Sequence, residues 1–219
     1  MNVSWLPDKA IKTAINELLP APFIITSYLH LMKTEKEKMI AGELYDPLDK
    51  QLVEDRLQTR LLIKALNDGR EDETEQRSRI LKELIPNAAP DLWLQPPFYC
   101  DYGYNMQVGE RVFFNFNCIV LDVAPVTIGS RTMFGPNVQV YTATHPLNHI
   151  KRSSGLEYAK PIVIGEDVWI GGSAVICPGV TIGDRSVIGA GSVVTKDIPA
   201  DVFAAGNPCK VIRSLAQEE

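Results

Sequence analysis

The most constraining feature of the sequence is a period of six residues that runs through its C-terminal half. An aliphatic residue recurs at every sixth position, at Ile164, Ile170, Ile176, Ile182, Ile188 and Val194. Upstream, the same phase is kept by Ile128, Phe134 and Val140. Still earlier, the same period is carried, with an offset of two residues near Pro125, by Val108, Phe114 and Val120.

A period of six does not fit the apolar stripe of an α-helix. It fits short strands joined by tight turns, with the first residue pointing inward and Gly, Asp or Asn at the bends. Stacked units of this kind bury a continuous aliphatic column that a single unit could not bury alone. Because twelve such repeats are present, an ordinary β-sandwich with accidental spacing is a poor explanation.

The chain divides into three segments by pattern. Residues 1–31 contain one stretch, Asp8 to Leu19, that predicts a short amphipathic helix. Residues 32–95 carry leucines at helical spacings and a charged run, DGREDETEQRSR, that indicates a solvated turn and a helix start. Residues 96–219 hold the repeats and a C-terminal tail. The predicted architecture is therefore mainly β, with a helical cap before the coil.

Composition excludes several classes of function. A net charge of −5 argues against a surface that binds duplex nucleic acid. No apolar run approaches the length of a membrane span, and no secretory signal is recognisable. The four cysteines show no CxxC spacing and are interpreted as buried thiols. We expect a cytoplasmic protein without a nucleic-acid or membrane partner.

The repeats are interrupted between His145 and Ile164. The intervening segment, residues 146–161, is too polar for the buried column and is predicted to protrude as a loop, a common place for chemistry on a rigid scaffold. His145 lies at the root of this loop, before Pro146, which favours extended backbone at the histidine. An imidazole is suited to general-base catalysis. The alternative is a capping or packing histidine.

Six stretches together resemble the maltose/galactoside O-acetyltransferase branch of the hexapeptide transferases: TEKEKMIAGELY, FYCDYGYN, YTATHP, AKPIVIG, VWIGGSAVICPGVTIG and AGNPCKVI. The resemblance covers residues 32–215. It implies a left-handed parallel β-helix with three six-residue units per coil, and a homotrimer in which two chains share each cleft. Residues 1–31 lie outside it and are expected to be a lineage-specific extension, or to reflect a start codon assigned too early.

The resemblance implies transfer of an acetyl group from the co-substrate acetyl-CoA to a sugar hydroxyl. It implies that His145 is the catalytic base and that Glu157, in the loop that follows, orients and stabilises the imidazolium. Backbone N–H groups of Gly171 and Gly172 are expected to bind the oxyanion, and the position of Gly172 touches the thioester in relatives. The alternative for both glycines is a tight corner of the coil.

For the sugar acceptor, the resemblance implies four contact residues: Asp101, Asn115, Asp122 and Arg56. Rings such as Phe113 or Tyr45 are expected to stack on a sugar face. The alternative for Asp122 is a cap at a coil corner. Some galactoside-acetylating relatives carry a second acid where this chain has Val123, which tilts the prediction towards glucosyl acceptors such as maltose or glucose.

For acetyl-CoA, the resemblance implies contacts from the last coils and the tail: Trp169, Gly172, Ala190, Thr195, Lys196, Lys210 and Arg213. The basic members of this set would supply the local positive charge that an anionic coenzyme requires. For Arg213 alone, a solvated tail face is the alternative.

The leading prediction is acetylation of the primary 6-hydroxyl of maltose, glucose or a related glycoside by direct attack on the thioester. The alternatives are a CoA-dependent acetyltransferase for serine, an amino-sugar or a xenobiotic, and a catalytically silent sugar-binding scaffold. A three-histidine zinc site is not predicted, because the only histidines are His145, His149 and His30, and His30 lies outside the coils. No metal is expected.

Overall fold

The computed structural model of the chain describes residues 33–215, nearly all of which belong to one compact unit, Glu35–Glu219. The predicted helix from Asp8 to Leu19 lies outside the described residues. Within them, the predicted fold is confirmed: a parallel β-helix follows a helical cap.

Three helices form the cap: α1 (Glu35–Ile40), α2 (Lys50–Asp68) and α3 (Thr74–Leu84). The longest, α2, begins after Asp49, whose carboxylate accepts hydrogen bonds from the N–H groups of Gln51 and Leu52, as expected of an N-cap. One side of α2 is buried by Leu52, Thr59, Ile63 and Leu66. A short fourth helix, α4 (His149–Arg152), lies in the loop that interrupts the coil.

The strands, numbered in chain order, form three faces of a prism. The first face contains β1 (Asn87–Ala88), β4 (Met106–Val108), β7 (Val126–Ile128), β12 (Ile162–Ile164) and β15 (Thr181–Ile182). The second contains β2 (Trp93–Leu94), β5 (Phe113–Phe114), β8 (Met133–Phe134), β13 (Trp169–Ile170), β16 (Val187–Ile188), β18 (Val202–Ala205) and β19 (Lys210–Ser214). The third contains β3 (Phe98–Cys100), β6 (Cys118–Leu121), β9 (Gln139–Tyr141), β14 (Val175–Ile176) and β17 (Val193–Val194). A separate hairpin pairs β10 (Ala143–Thr144) with β11 (Tyr158–Ala159).

The strand register confirms the period of six. Ile164 pairs with Ile182, so three repeats complete one coil. Val108 pairs with Ile128, so the earlier coil is slightly longer than three repeats, which accounts for the offset seen near Pro125. Ile128 pairs with Ile164, so the loop adds the length of a whole further coil between these two neighbouring strands.

The coil begins earlier than the sequence indicated. Strands β1 and β2 lie within residues 32–95, which the sequence assigned to the helical cap, yet they pair with β4 and β5. The boundary near residue 96 is therefore corrected to Asn87. The period is hard to recognise in this first coil, because small residues, Ala88 and Cys100, occupy two of its three inward positions.

The interior of the prism is a column of inward-facing apolar side chains. Three rings lie at its cap-proximal end: Phe98 packs edge-on against Phe114 with 5.6 Å between centroids, and Phe114 stacks on Phe134 at 4.2 Å. All three are at most 1% exposed. Each such side chain contributes roughly 1.5–3 kcal/mol when fully buried, so the column is the main source of stability.

The corners of the prism require unusual backbone. The fourth residue of nine repeats has positive φ: Arg111, Asn117, Arg131, Asn137, Asp167, Ser173, Gly179, Arg185 and Gly191. Glycine is needed elsewhere, where coils touch. A Cβ atom on Gly171 would lie 2.5 Å from the backbone nitrogen of Ala190 on the next coil, so no larger residue fits without displacing backbone.

Candidate functional site

The third corner, where the third face turns back to the first, collects the predicted catalytic pair and two of the predicted acceptor contacts. Asp101 follows β3, Asp122 follows β6 and the loop that begins at His145 follows β9 and β10. Because β3, β6 and β9 are neighbours in one parallel sheet, the segments that follow them share one edge of the prism.

His145 and Glu157 are brought together by the β10–β11 hairpin. Its antiparallel register pairs Thr144 with Tyr158, and one further step places His145 opposite Glu157. Residues opposite each other in an antiparallel pair project to the same side. The Nε2 atom of His145 lies 4.0 Å from Oε1 of Glu157, and the two side chains are 54% and 27% exposed. The imidazole is therefore accessible to a ligand, which argues against the packing alternative.

Glu157 is held from its other side by Tyr45, which lies between α1 and α2. The Tyr45 hydroxyl donates to Oε2 of Glu157 at 2.9 Å. The backbones of the two residues also pair in both directions, with N···O distances of 3.0 and 3.1 Å. The ring is only 1% exposed, so the expectation that Tyr45 stacks on a sugar is wrong.

A second apolar cluster anchors this arrangement. It joins the cap, the third corner and the loop, and consists of Met39, Tyr45, Leu52, Tyr102, Val123, Ala124 and Ala159. Because Ala159 belongs to β11, the cluster fixes to the cap the strand that directly follows Glu157.

Asp122 does not face a ligand site. Its side chain is 0% exposed, and its Oδ1 accepts hydrogen bonds from the N–H groups of Asp101 and Tyr102 at 3.0 and 2.9 Å. The prediction that Asp122 contacts the acceptor is therefore corrected to the alternative, a cap at a coil corner. Its Oδ2 is buried without a hydrogen-bond partner, and burial raises the pKa of Asp122 to about 6.

Asp101 remains partly accessible. Burial raises the pKa of Asp101, and the positive charge of Arg56 opposes that shift. The charges of these two side chains therefore interact. Arg56 donates through Nη1 to the hydroxyl of Tyr102 at 2.6 Å. Two of the four predicted acceptor residues, Asp101 and Arg56, thus lie in the same neighbourhood as Glu157, whose charge also raises the pKa of Asp101.

Asn115 lies elsewhere in the chain. It follows β5 at the second corner, between the second and third faces, and its Oδ1 accepts from the N–H of Phe116 at 2.8 Å. Within one chain, the structure therefore does not bring Asn115 to the corner that carries His145.

The second face carries an outward row that includes two predicted coenzyme residues. Trp169 pairs with Val187, Val187 with Phe203 and Phe203 with Arg213. Trp169 is 52% exposed, and the guanidinium of Arg213 lies 5.9 Å from the centroid of the Phe203 ring. Three inter-strand spacings of about 4.8 Å separate the ends of the row, so it extends over about 14 Å. Lys210, on the same strand as Arg213, is exposed as well.

The remaining predicted coenzyme residues lie at two corners. Gly172 and the exposed Ala190 are at the second corner, whereas the exposed Thr195 and Lys196 are at the third. The N–H of Gly171 donates to Ile188 in the coil ladder at 2.7 Å, so the expectation that it binds an oxyanion is wrong. Among the described residues, no partner is found for the N–H of Gly172.

A triangular coil places the second face opposite the third corner. The row containing Trp169 and Arg213 is therefore on the far side of the chain from His145 and Glu157. Within one chain, the two sets of residues therefore face in opposite directions.

Comparison with known proteins identifies the family. The profile described as "Maltose acetyltransferase hexapeptide capping motif" matches residues 38–88, and "Bacterial transferase hexapeptide (six repeats)" matches residues 161–196. The crystal structure of a maltose O-acetyltransferase from Clostridium difficile 630 is 49% identical, with a TM-score of 0.83 over 84% of this chain and 99% of that one. A galactoside acetyltransferase in complex with coenzyme A is 43% identical, with a TM-score of 0.81 over 84% and 92%. The galactoside O-acetyltransferase of Escherichia coli K12 is 44% identical over 179 residues, which cover 82% of this chain and 88% of that protein.

The chain belongs to the maltose/galactoside O-acetyltransferase family. The predicted resemblance is confirmed, and the chain is an acetyltransferase of the hexapeptide-repeat class.

Sequence reasoning missed the contact that Tyr45 makes in this acetyltransferase. The residue is the last of TEKEKMIAGELY, a stretch that supported the resemblance, but nothing in the local pattern indicates that its hydroxyl reaches Glu157. Within residues 33–215, no group of three or more His, Cys, Asp or Glu side chains is arranged to hold a metal ion. The helices of the same region are too short or too polar to cross a bilayer.

Because Asp122 is buried, we expect the free energy of unfolding of the acetyltransferase to fall as the pH rises and this carboxyl ionises. Its folded pKa, about 6, exceeds the ordinary 3.8, so the folded state favours the protonated form, and stability is lost as pH rises through this window. Asp122→Asn keeps an oxygen acceptor but cannot ionise. Relative to this variant, the free energy of unfolding of the wild type should fall by about 2 kcal/mol between pH 4 and pH 7, measured by urea denaturation. An unchanged difference between the two pH values would contradict the assignment.

Proposed function

We propose that the chain transfers the acetyl group of acetyl-CoA to the primary 6-hydroxyl of maltose, glucose or a related glycoside, with His145 as the general base. The proposal is supported above all by the exposed imidazole of His145, which lies at the root of the loop with the carboxylate of Glu157 opposite it. Family membership supports acetyl-CoA as the co-substrate, since a related galactoside acetyltransferase has been crystallised with coenzyme A.

In the proposed reaction, the sugar hydroxyl attacks the thioester carbonyl while His145 removes its proton. Because a sugar hydroxyl is a very weak acid, the proton must leave as the C–O bond forms. The carboxylate of Glu157 stabilises the imidazolium electrostatically. Collapse of the tetrahedral intermediate breaks the C–S bond, and the imidazolium returns the proton to the sulfur of the departing coenzyme. The products are the sugar ester and free CoA thiol.

The oxyanion of the tetrahedral intermediate needs a hydrogen-bond donor. The N–H of Gly172 is suited to this role because it is half-buried and has no partner among the described residues. Absence of a side chain at this position leaves that N–H open to a thioester oxygen. We therefore assign the oxyanion contact to Gly172 alone.

Direct attack is favoured over an acyl-enzyme. Burial raises the pKa of each of the four cysteine thiols, Cys100, Cys118, Cys177 and Cys209. A thiol kept protonated in this way is a poor nucleophile. The acetyl group is therefore expected to pass from coenzyme to sugar in one ternary complex.

Asp101 and Arg56 are the proposed acceptor contacts at the third corner. A half-buried carboxylate beside a guanidinium offers both an acceptor and a donor to sugar hydroxyls. Val123 is 4% exposed and packs in the apolar cluster, so it offers no hydroxyl contact. This supports glucosyl acceptors over galactosides. Asn115 would reach the acceptor from a neighbouring chain.

A shared cleft would unite the two separated sets of residues. The third corner of one chain carries His145, Thr195 and Lys196, and the second face of another would supply Trp169 and Arg213. Three prisms packed in a ring would form three such clefts. Each cleft joins two different surfaces of neighbouring chains, and the threefold rotation closes the ring. We therefore propose a homotrimer as the active form.

His145→Ala should lower kcat by a factor on the order of 10²–10⁴, the usual contribution of a general base. The assay follows free thiol release from acetyl-CoA with glucose, maltose, galactosides, glucosamine and serine as acceptors. The wild type should prefer a glucosyl acceptor.

His149→Ala is the matched control, because His149 is an exposed loop histidine that the proposal does not use. Turnover of His145→Ala close to that of this control would exclude His145 as the base. Preference of the wild type for serine or glucosamine would redirect the acceptor assignment, and no turnover with any acceptor would favour a silent scaffold.

The Lys196→Ala, Arg213→Ala double variant should raise the KM for acetyl-CoA roughly tenfold, the scale expected for two exposed ion pairs, and leave the KM for sugar nearly unchanged. The anionic coenzyme loses two positive neighbours, whereas the sugar loses none. A Lys64→Ala, Arg70→Ala variant removes the same charge from the exposed cap and should leave both constants unaltered. Equal effects of Lys196→Ala, Arg213→Ala on both substrates would count against the basic patch.

A shared cleft predicts complementation between two inactive chains. His145→Ala and Trp169→Glu chains, co-expressed with different tags and purified as mixed trimers, should recover about one third of wild-type activity, because each mixed trimer contains one cleft of three that combines the two intact halves. Each parent measured alone provides the baseline. Mixed oligomers no more active than the average of the two parents would show that one chain contains the whole site.

A further inference from the structure

The hydroxyl of Tyr45 has no part in the reaction as proposed, yet it occupies one of the two oxygens of Glu157. It donates to Oε2 at 2.9 Å, and Oε1 is the oxygen that lies 4.0 Å from Nε2 of His145. We propose that Tyr45 is a positioning residue, whose hydrogen bond fixes one carboxylate oxygen of Glu157 so that the other faces His145. This inference rests on the proposed role of His145 as the base.

Glu157 needs such support because of where it lies. It belongs to the loop that interrupts the coil, and its side chain is 27% exposed. A glutamate side chain loses substantial rotamer entropy when it is held in one conformation. His145 lies beyond hydrogen-bond distance of Oε1, so the imidazole alone does not hold the carboxylate in place.

Tyr45 is a rigid anchor. Its ring is 1% exposed and packs in the apolar cluster with Met39, Leu52 and Tyr102. Its backbone pairs with that of Glu157 in both directions. The backbone and the ring of Tyr45 are therefore both held in place, the first by hydrogen bonds and the second by buried contacts. The position of the hydroxyl is fixed as a result, and its hydrogen bond fixes the carboxylate of Glu157.

The hydrogen bond also has a fixed direction. Burial, and next the charge of Glu157, raise the pKa of Tyr45 far above its usual value, so the phenol remains a donor throughout the physiological pH range. A donor to a carboxylate forms a charge-assisted bond, which is stronger than a neutral one. The contact therefore holds Oε2 of Glu157 as an acceptor and leaves Oε1 on the side of His145.

The consequence is a link between the helical cap and the chemistry. Tyr45 precedes Glu157 by 112 residues and lies between the first two cap helices. The cap thus contributes to catalysis through the orientation of the base, in addition to any contact with the acceptor.

The test is a double-mutant cycle on kcat with Tyr45→Phe, Glu157→Ala and the combined variant. Tyr45→Phe should lower kcat about tenfold, as expected for one hydrogen bond to a charged group, with the KM for acetyl-CoA within about twofold of the wild type. In the Glu157→Ala background, Tyr45→Phe should cost less than about twofold, because a positioning residue has nothing left to position. Additive losses would overturn the inference, since they would mean that Tyr45 acts independently of Glu157.

Tyr104→Phe is the matched control. Tyr104 is also partly buried beside the cap, and its hydroxyl donates to a carboxylate, Oδ2 of Asp55, at 2.9 Å. Both phenylalanine variants should lower the thermal midpoint, but Tyr104→Phe should keep wild-type kcat. Equal kcat losses in the two variants would show a general effect of cap stability and would overturn the positioning role.

Glu157→Asp keeps the inference testable if Tyr45→Phe does not fold. Aspartate retains the charge but is one methylene shorter, so it cannot contact the phenol and still reach towards His145. Its kcat should fall to within a factor of about three of that of Glu157→Ala, and full activity would contradict the need for a carboxylate held at both ends. Failure of the proposed function is recognised separately, by a His145→Ala variant that remains active.

Discussion

The whole structure depends on the burial of one aliphatic or aromatic side chain at every sixth residue. Each inward residue, such as Ile164 or Ile170, sits directly on its counterpart in the next coil, so a column forms that no single coil could shield from water. The parallel ladder on each face satisfies the backbone groups between coils. Together these constraints fix the position of each corner, and one corner carries the candidate catalytic pair, His145 and Glu157.

The candidate site lies where this regularity is interrupted. The segment inserted after β9 leaves the ladder, and the short β10–β11 pairing then determines which residue faces His145. Because the hairpin is only two residues long on each side, it is a weak scaffold by itself. The cap compensates, since Tyr45 and its apolar neighbours bind the returning strand through side-chain and backbone contacts. Rigidity beside His145 is therefore supplied by an element distant in sequence.

Much of this could be predicted from the sequence, and the failures have physical reasons. The period of six identified the coil, but Ala88 and Cys100 made its first turn unrecognisable. The break in the repeats marked His145, and the resemblance supplied Glu157 as its partner. Asp122 was misjudged because a carboxylate at a corner has the same sequence pattern whether it points to a ligand or caps the backbone. Tyr45 was misjudged because its contact joins residues 112 positions apart.

The division of the predicted coenzyme residues gives assembly a direct role in the proposed chemistry. Within one prism, the row through Trp169 faces away from the corner that bears His145. That row also exposes Trp93 and Met133 by about half, an apolar surface that water solvates poorly. If a neighbouring third corner approaches this face, the same contact shields the apolar row and completes the cleft. The same surface, the row through Trp169, would then serve both association and catalysis. Packing that removes its apolar area from water would also bring the thioester to His145 of the neighbouring chain.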